Sequence, residues 1–247
     1  MTLLYKLFLL ILIPLSSWAA VPMKIYVRAS FYDYVQAALQ PCDDVEIKSL
    51  PSPMLSLVLR QGDNAEAHLY VGLDETQLAF STQMRTLPFA QGDLALITRV
   101  PFTGTWSAWL QLGKLLICAD PRTSSTAAAF FRWAQSQGYK EATIREWCQV
   151  MPSSLASAYA LFTSGAGDGM IGYTTTPELS RGRGDSQPEY VFPLEGAKEI
   201  WSLGVTKTGE KHPQMDALLT HLLSPQGQEV LRQKAHLEPV GNSKHGL

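Results

Sequence analysis

The sequence predicts an α/β protein whose two lobes face each other across a cleft. Two observations lead to this fold class. Short apolar segments with strand periodicity alternate with segments of helical periodicity along most of the chain. The composition then changes near residue 98, where a loop containing proline, glycine and tryptophan follows an apolar segment. Strands separated by helices favour a parallel or mixed sheet, and two such halves joined by crossing strands enclose a cleft.

The first lobe is expected to begin with a strand and a helix. Residues 23–28 alternate apolar and polar side chains as a half-buried strand does, and residues 31–39 have the apolar spacing of a helix. The same criteria predict further strands at 45–47, 68–73 and 93–98 and a helix at 54–60.

The second lobe is expected to follow the same plan. It contains predicted strands at 114–119 and 169–173 and predicted helices at 126–137, 143–150 and 156–163. After a loop rich in glycine, arginine and serine at 180–187 come predicted strands at 190–192 and 200–205 and helices at 213–223 and 225–233. These elements assign residues 20–97 and 192–247 to the first lobe and residues 98–191 to the second.

The N-terminal segment has the order of a secretory signal peptide. A lysine is followed by an apolar run at residues 7–15, and the small residues Ser17 and Ala19 suit a cleavage site after Ala19. The alternative is an uncleaved membrane anchor, but a spanning helix needs about 20 apolar residues, and Pro14 interrupts this run. We therefore expect a signal peptide at residues 1–19 and a mature chain in the periplasm.

Composition and motifs argue against several classes of function. Charged residues make up 17% of the chain and the formal net charge is −2, so no basic surface points to nucleic acid. The five histidines lack the spacing of metal ligands, and no hydrolase nucleophile motif is present. We expect a monomer that binds a small molecule, without enzymatic activity, cofactor or metal.

The three cysteines leave the disulfide pairing open. In an oxidising compartment they allow one disulfide and one remaining thiol. Cys118 and Cys148 are one candidate pair, but the sequence does not give the distance between their Cα atoms.

A hydroxyl-rich segment at residues 119–126 joins a buried strand to a helix. The first backbone N–H groups of a helix lack partners, so this segment suits an oxygen-bearing or anionic group of a ligand. Ser124 and Ser125 are the candidate ligand-binding residues. The alternative is that one of them caps the helix, which is the commonest role at this position.

A second segment ends the strand at 169–173 with hydroxyl side chains. Tyr173, Thr174, Thr175 and Thr176 precede Pro177, at an edge where open α/β sheets bind ligands. The alternative is a strand that ends at a proline turn with Tyr173 in the core.

These segments carry a resemblance to a known family. Residues 120–124, Trp133, Trp147, residues 158–162 and residues 173–177 together resemble the periplasmic thiamine-binding proteins of ABC transporters. The resemblance implies a type II periplasmic-binding-protein fold, with mixed sheets and a hinge cleft. It also implies thiamine or a thiamine phosphate as ligand and an ABC permease as partner.

The resemblance also assigns the site. Ser124 and Ser125 would line the ligand site, the segment from Tyr173 to Thr176 would form its opposite wall, and Ser52 and Pro53 would belong to a third contact segment.

The chain departs from the family at its aromatic and charged positions. Leu155 and His236 stand where the family places aromatic residues, which in a thiamine site stack on a flat cation. Arg28 begins a segment in which the family has an acidic residue, and positive charge near the cleft disfavours a cation. Other aromatic residues either compensate or belong to the core: Phe31, Tyr32, Tyr34, Trp106, Trp109 and Trp201.

A second function remains open at this point. A sensory or accessory domain of the same fold, without a transport role, would bind another ligand such as a polyamine, a metal or an anionic solute.

Overall fold

The computed structural model describes residues 22–39, 44–62, 66–176 and 190–240. The expected signal peptide at 1–19, the loop at 180–187, Cys42 and Pro177 lie outside these ranges. In the described part of the chain, no helix combines the length and hydropathy that crossing a membrane requires.

The described residues form eight strands and ten α-helices. The strands are β1 (Met23–Arg28), β2 (Val45–Leu50), β3 (Leu69–Leu73), β4 (Arg85–Thr98), β5 (Leu116–Ile117), β6 (Gly169–Tyr173), β7 (Tyr190–Val205) and β8 (Glu238–Pro239). The helices are α1 (Tyr32–Ala38), α2 (Ser52–Arg60), α3 (Glu75–Leu78), α4 (Trp106–Leu110), α5 (Ser125–Ser136), α6 (Glu141–Trp147), α7 (Leu155–Ser164), α8 (Lys207–Glu210), α9 (Met215–Leu223) and α10 (Pro225–Ala235).

One mixed sheet connects all these strands. Its order is β2-β1-β3-β7-β4-β6-β5, and β8 pairs with β4. The pairs β1/β2, β1/β3 and β5/β6 are parallel, as expected for strands separated by helices. The long strands β4 and β7 pair antiparallel with each other over nearly their whole length. They connect the parallel strands of one half of the sheet to those of the other.

These two strands define the lobes. We call the half around β1, β2 and β3, with α1–α3 and α8–α10, the first lobe, and the half around β5 and β6, with α4–α7, the second lobe. The α/β fold with two lobes is therefore as predicted. The residue bounds of the lobes, 20–97 with 192–247 and 98–191, stay a prediction, because β4 and β7 run through both halves.

The sequence pattern predicts only parts of the two long strands β4 and β7. The predicted strand at 93–98 is the second half of β4, and those at 190–192 and 200–205 are the two ends of β7. Pairing shifts between Pro88 and Ala90 and again between Asp93 and Ala95, so the apolar alternation is interrupted there. Pro193 and Gly196 interrupt β7 in the same way.

Short elements also differ from the prediction. The helices α3, α4 and α8 have four or five residues, too few to show a helical period, and the sequence does not predict them. The strand expected at 114–119 is paired only at Leu116–Ile117.

A disulfide joins Cys118 to Cys148, with the two Cα atoms 5.3 Å apart. It connects the residue after β5 to the residue after α6, and both sulfur-bearing side chains are buried. Next to it, the Cys118 amide donates a hydrogen bond to the Val150 carbonyl, at 3.0 Å. The candidate pairing is therefore confirmed, and it secures the segment that leads to the hydroxyl-rich loop.

Replacing both cysteines, as Cys118→Ala with Cys148→Ala, should lower the free energy of unfolding by about 3 kcal/mol, because the unfolded chain then loses a closed loop. Urea unfolding followed by circular dichroism measures this change. Cys42→Ala leaves the disulfide in place and serves as the control. A double variant as stable as the control would contradict the assigned role.

Candidate functional site

A cavity of about 400 Å³ lies where the two lobes meet, between α2 and α3 of the first lobe and the start of α5 in the second. We call it the cleft cavity. Its walls carry hydroxyl, amide and charged groups beside a few apolar side chains. The lining residues are Ser52, Pro53, Ser56, Leu57, Arg60, Asp74, Thr76, Gln77, Phe80, Pro121, Arg122, Thr123, Ser124, Ser125 and Ala128.

Four of the predicted ligand-binding residues line this cavity together. Ser52 and Pro53 begin α2 in the first lobe, whereas Ser124 and Ser125 begin α5 in the second. The fold thus brings two helix N-termini from distant parts of the sequence to one cavity. A ligand role for these residues remains a prediction.

The other predicted segment does not reach the cavity. Tyr173 is buried, and its hydroxyl contacts the Thr126 hydroxyl at 2.5 Å and the Glu199 carboxylate. Thr176 is buried, and its hydroxyl accepts a hydrogen bond from the Tyr173 amide, at 2.8 Å. Thr174 and Thr175 are half-buried and are not among the lining residues. This arrangement matches the alternative of a strand that ends at a turn, and a role in binding stays a prediction.

The loop before α5 holds its serines in fixed positions. The Ser124 hydroxyl accepts from the Ala127 amide at 3.5 Å and so caps the helix, as the alternative proposed. The Ser124 amide donates to the Asp120 carbonyl at 2.8 Å. Hydrogen bonds from Arg122 lower the pKa of the Asp120 carboxyl and favour its charged form. Ser124 thus both caps α5 and faces the cavity.

Beside the cavity, Arg28 lies at the end of β1 with only 6% of its surface exposed. One guanidinium nitrogen, Nη2, pairs with Asp74 and donates to the Gln77 side-chain oxygen at 2.9 Å. The other, Nη1, donates to the Ser125 hydroxyl at 2.8 Å and lies 3.9 Å from a Glu199 oxygen. We call these four partners, Asp74, Gln77, Ser125 and Glu199, the cation shell.

Gln77 connects the cation shell to the cavity wall. Its side-chain nitrogen donates to the Ser52 carbonyl and to the Ser56 hydroxyl, both at 3.1 Å. Its oxygen also accepts from the Asp74 amide at 3.2 Å, while Asp74 accepts from the Gln77 amide at 2.9 Å. This reciprocal capping box starts α3 and fixes the direction of both side chains.

A β-bulge at Gly72 sets the position of Asp74. Gly72 has φ +86°, a left-handed conformation that glycine adopts without strain, and the register of β3 against β7 shifts there. A Cβ atom at this position would lie 2.5 Å from the Phe31 ring and 3.0 Å from the Arg28 Cβ. The bulge thus lets β3 pass close beside Arg28 before the chain turns into α3.

Glu199 is the most deeply buried carboxylate of the cation shell. Burial raises the pKa of its carboxyl, and the Arg28 charge opposes this change only in part. Burial, together with the Glu199 charge, also raises the pKa of the Tyr173 hydroxyl well above its ordinary value. Tyr173 therefore stays neutral and acts as a hydrogen-bonding partner of the carboxylate.

Residues 28–31 contain no acid, and the acids near the Arg28 charge come from other parts of the chain. The balancing acids are Asp74 and Glu199, far from Arg28 in the sequence, and the cation they balance is Arg28 itself. The pattern Asp74-x-x-Gln77 is a capping-box signal for the start of a helix, but it does not show that Asp74 pairs with Arg28. No local signal marks Glu199, which lies in a strand interrupted by proline and glycine.

The aromatic side chains considered as compensation lie outside the lining of the cleft cavity. Phe31, Tyr34, Trp109 and Trp201 are buried in the core, Tyr32 and Trp106 are half-buried, and the lining of the cavity includes none of them. Phe80 is the aromatic residue of the lining, and the Arg60 guanidinium lies 4.5 Å from its ring centre. Leu155 packs against the core and His236 ends α10, so neither replaced position borders this cavity.

A second cavity and the arrangement of possible metal ligands were compared with the predicted site residues. A second cavity of about 390 Å³ lies beside residues 80–84 and 206–208, and its lining includes none of the predicted residues. Among the described residues, no group of three histidine, cysteine, aspartate or glutamate side chains is placed to hold a metal ion.

Glu199→Gln should gain stability relative to the wild type as pH rises above the ordinary glutamate pKa of 4.5. The raised pKa of Glu199 means that the folded wild type holds this proton more tightly than the unfolded chain does. The stabilisation that this proton gives the folded state is complete at pH values below the pKa of the unfolded chain, and it is lost as pH rises through the pKa of the folded state. Glutamine does not titrate, so the variant loses no such stabilisation.

Urea unfolding at a series of pH values measures the difference. Glu195→Gln, an exposed position on the same strand, is the matched control and should follow the wild type. If Glu199→Gln instead lost stability relative to the wild type as pH rises, the charge of Arg28 would have a larger effect on the pKa of Glu199 than burial has.

Comparison with known proteins identifies the family. A profile of the family described as bacterial extracellular solute-binding protein matches residues 34–235. A thiamine-binding periplasmic protein of Brucella suis biovar 1 (strain 1330) is 24% identical over 140 residues, which cover 53% of this chain and 42% of that protein. The match thus spans less than half the length of this curated relative.

Two solved structures share the fold. A periplasmic thiamin binding protein superposes with a TM-score of 0.71 and 18% identity, over 89% of this chain and 83% of that one. Iron-bound HitA from Pseudomonas aeruginosa also has a TM-score of 0.71, with 11% identity over 90% of this chain and 87% of that one. One of these proteins is named for thiamin and the other is bound to iron, so the fold alone does not determine which ligand is bound. The two-lobed fold and the profile match together show that this chain belongs to the bacterial extracellular solute-binding protein family, as a divergent type II member.

Proposed function

We propose that this protein is the periplasmic solute-binding component of an ABC transporter, and that it captures a small molecule in the cleft cavity. The observation that carries the proposal is the meeting of Ser52, Pro53, Ser124 and Ser125 in one cavity between the lobes. Its volume of about 400 Å³ suits a small solute. The polar groups of its walls are of the kind that orient a ligand by hydrogen bonds.

Within this role, we propose thiamine or a thiamine phosphate as the solute. The sequence resemblance and the name of the Brucella relative support this choice. Of these compounds, the phosphate esters suit the cavity better than thiamine itself. Arg60 and Arg122 line the cavity and α2 and α5 begin there, so positive charge and the positive ends of two helix dipoles lie beside a bound phosphate. A single aromatic ring gives little area for stacking on the thiamine rings.

Titration calorimetry of the purified protein with thiamine, thiamine monophosphate and thiamine pyrophosphate tests the ligand. We expect tighter binding of the phosphate esters than of thiamine. Binding of none of the three would exclude this ligand class and leave the fold and the cavity unaffected.

Replacing both serines, as Ser124→Ala with Ser125→Ala, should weaken solute binding by about tenfold, because two hydroxyl groups are removed from the cavity wall. The cost in unliganded stability should exceed the ~1 kcal/mol of one helix cap, because the Ser125 hydroxyl also accepts a hydrogen bond from buried Arg28. Calorimetry and thermal unfolding measure the two effects separately.

Ser224→Ala removes the N-cap of α10, which lies away from the cavity, and is the matched control. It should lower stability by the ~1 kcal/mol of one cap without changing affinity. Unchanged affinity in both variants would assign Ser124 and Ser125 to structural roles alone.

Solute uptake by cells separates transport from sensing. If the protein serves a transporter, deletion of its gene should abolish high-affinity uptake of the solute that it binds. Unchanged uptake in the deletion strain would instead favour the sensory alternative.

A further inference from the structure

Arg28 is surrounded as a bound cation would be. Two carboxylates and two neutral oxygen acceptors contact its guanidinium, and they come from α3, α5 and β7. The exposed fractions are 6% for Asp74, 1% for Gln77 and 2% for Glu199. Charges buried to this extent are tolerated only when they are paired, so the shell requires a cation at its centre.

The shell is held in place by contacts other than those with Arg28. Asp74 and Gln77 are fixed by the capping box of α3, and Gln77 is bound to the start of α2. Glu199 accepts a hydrogen bond from the Tyr173 hydroxyl. Its Oε1 atom is buried and has no hydrogen-bond partner among the described residues, and Arg28 Nε is also buried and unpartnered there. Asp74, Gln77 and Glu199 thus each have a contact besides Arg28 that helps to hold the side chain in position.

The guanidinium also connects the two lobes. Arg28, Asp74 and Gln77 belong to the first lobe, whereas Ser125 belongs to the second. A second inter-lobe contact lies nearby, an ion pair at 2.9 Å between Arg132 of α5 and Glu75 of α3. It is partly exposed, so solvent screening weakens it, whereas the Arg28 contacts are shielded. The lobes thus meet through groups of the chain itself.

We propose that Arg28 is a tethered cation: it fills a site in the cleft that would otherwise accept the cationic group of a small organic molecule, and it thereby holds the lobes together without a solute. This inference rests on the proposed function insofar as the neighbouring cleft cavity is the solute site. Arg28 then determines specificity, because it excludes a solute cation from the shell and leaves the outer cavity, with Arg60 and the two helix N-termini, to the solute.

Arg28→Ala tests the proposal with methylguanidinium chloride as the probe, and it needs no knowledge of the natural solute. The variant should unfold at a lower temperature than the wild type, and methylguanidinium should restore about half or more of that loss by occupying the vacated shell. Calorimetry should give a Kd on the order of 1 mM, as expected for a ligand of so few atoms. Sodium chloride at equal concentration controls for ionic strength.

Two further variants make the result specific. Arg132→Ala removes the other inter-lobe ion pair and should show no response to methylguanidinium, like the wild type. Arg28→Ala with Glu199→Gln removes one negative charge from the shell and should bind methylguanidinium at least about tenfold more weakly than Arg28→Ala alone. An Arg28→Ala chain that folds without binding methylguanidinium, or that stays unfolded in its presence, overturns the proposal, since the shell then accepts no free cation.

Small-angle X-ray scattering tests the connection between the lobes. Without any solute, wild-type protein should have the radius of gyration of the compact structure, and Arg28→Ala should have a larger one that methylguanidinium reduces. Equal radii for both proteins would overturn the role of Arg28 in holding the lobes. Failure to find a natural solute would weaken the proposed function and leave these outcomes unaffected.

Discussion

The antiparallel pairing of β4 with β7 is the constraint on which the arrangement of the cleft depends. Because both strands run through both lobes, a continuous ladder of backbone hydrogen bonds sets where the lobes lie relative to each other. Glu199 sits in this ladder opposite Gly92, between the two halves of the sheet. Its carboxylate is therefore carried by the element that the lobes share, while its partners come from the lobes themselves. A change in the angle between the lobes must alter these contacts.

Charge balance in the cleft follows from that geometry. Arg28, Asp74 and Glu199 are distant in the sequence, and each would be costly to bury alone. Together they carry one excess negative charge, and burial raises the pKa of the Glu199 carboxyl. In this cleft the acceptors of the cation shell are occupied by Arg28, whereas in a cleft that binds a free cation the same kinds of acceptor would contact the solute. The outer cavity, with its hydroxyl groups and arginines, remains for the solute.

The sequence predicts most of the long strands and helices of this protein, but it does not predict the buried contacts of Arg28 in the cleft. Strands β1 and β6 and helices α5, α9 and α10 are found within a few residues of their predicted bounds, because their apolar periods are long and uninterrupted. The serines at the start of α5 were recognisable from the strand–loop–helix order. Glu199 was not, because burial of a glutamate in a strand leaves no periodic signal. Nor does local sequence show that Arg28 would find its counter-charges in α3 and β7, since such pairing is a property of the tertiary fold.

The glycine at position 72 has a consequence for how such a cleft changes during evolution. A side chain at position 72 would displace the Phe31 ring and contact the Arg28 side chain. The glycine therefore helps to fix the position of the Arg28 charge. Gly72, Arg28 and Asp74 form a unit in which a single replacement leaves a buried ion unpaired or misplaced. Divergence of ligand choice in this lineage is therefore expected to pass through coupled substitutions. A relative without the arginine should be free to vary at the glycine as well, and this covariation would appear in aligned sequences without any measurement of binding.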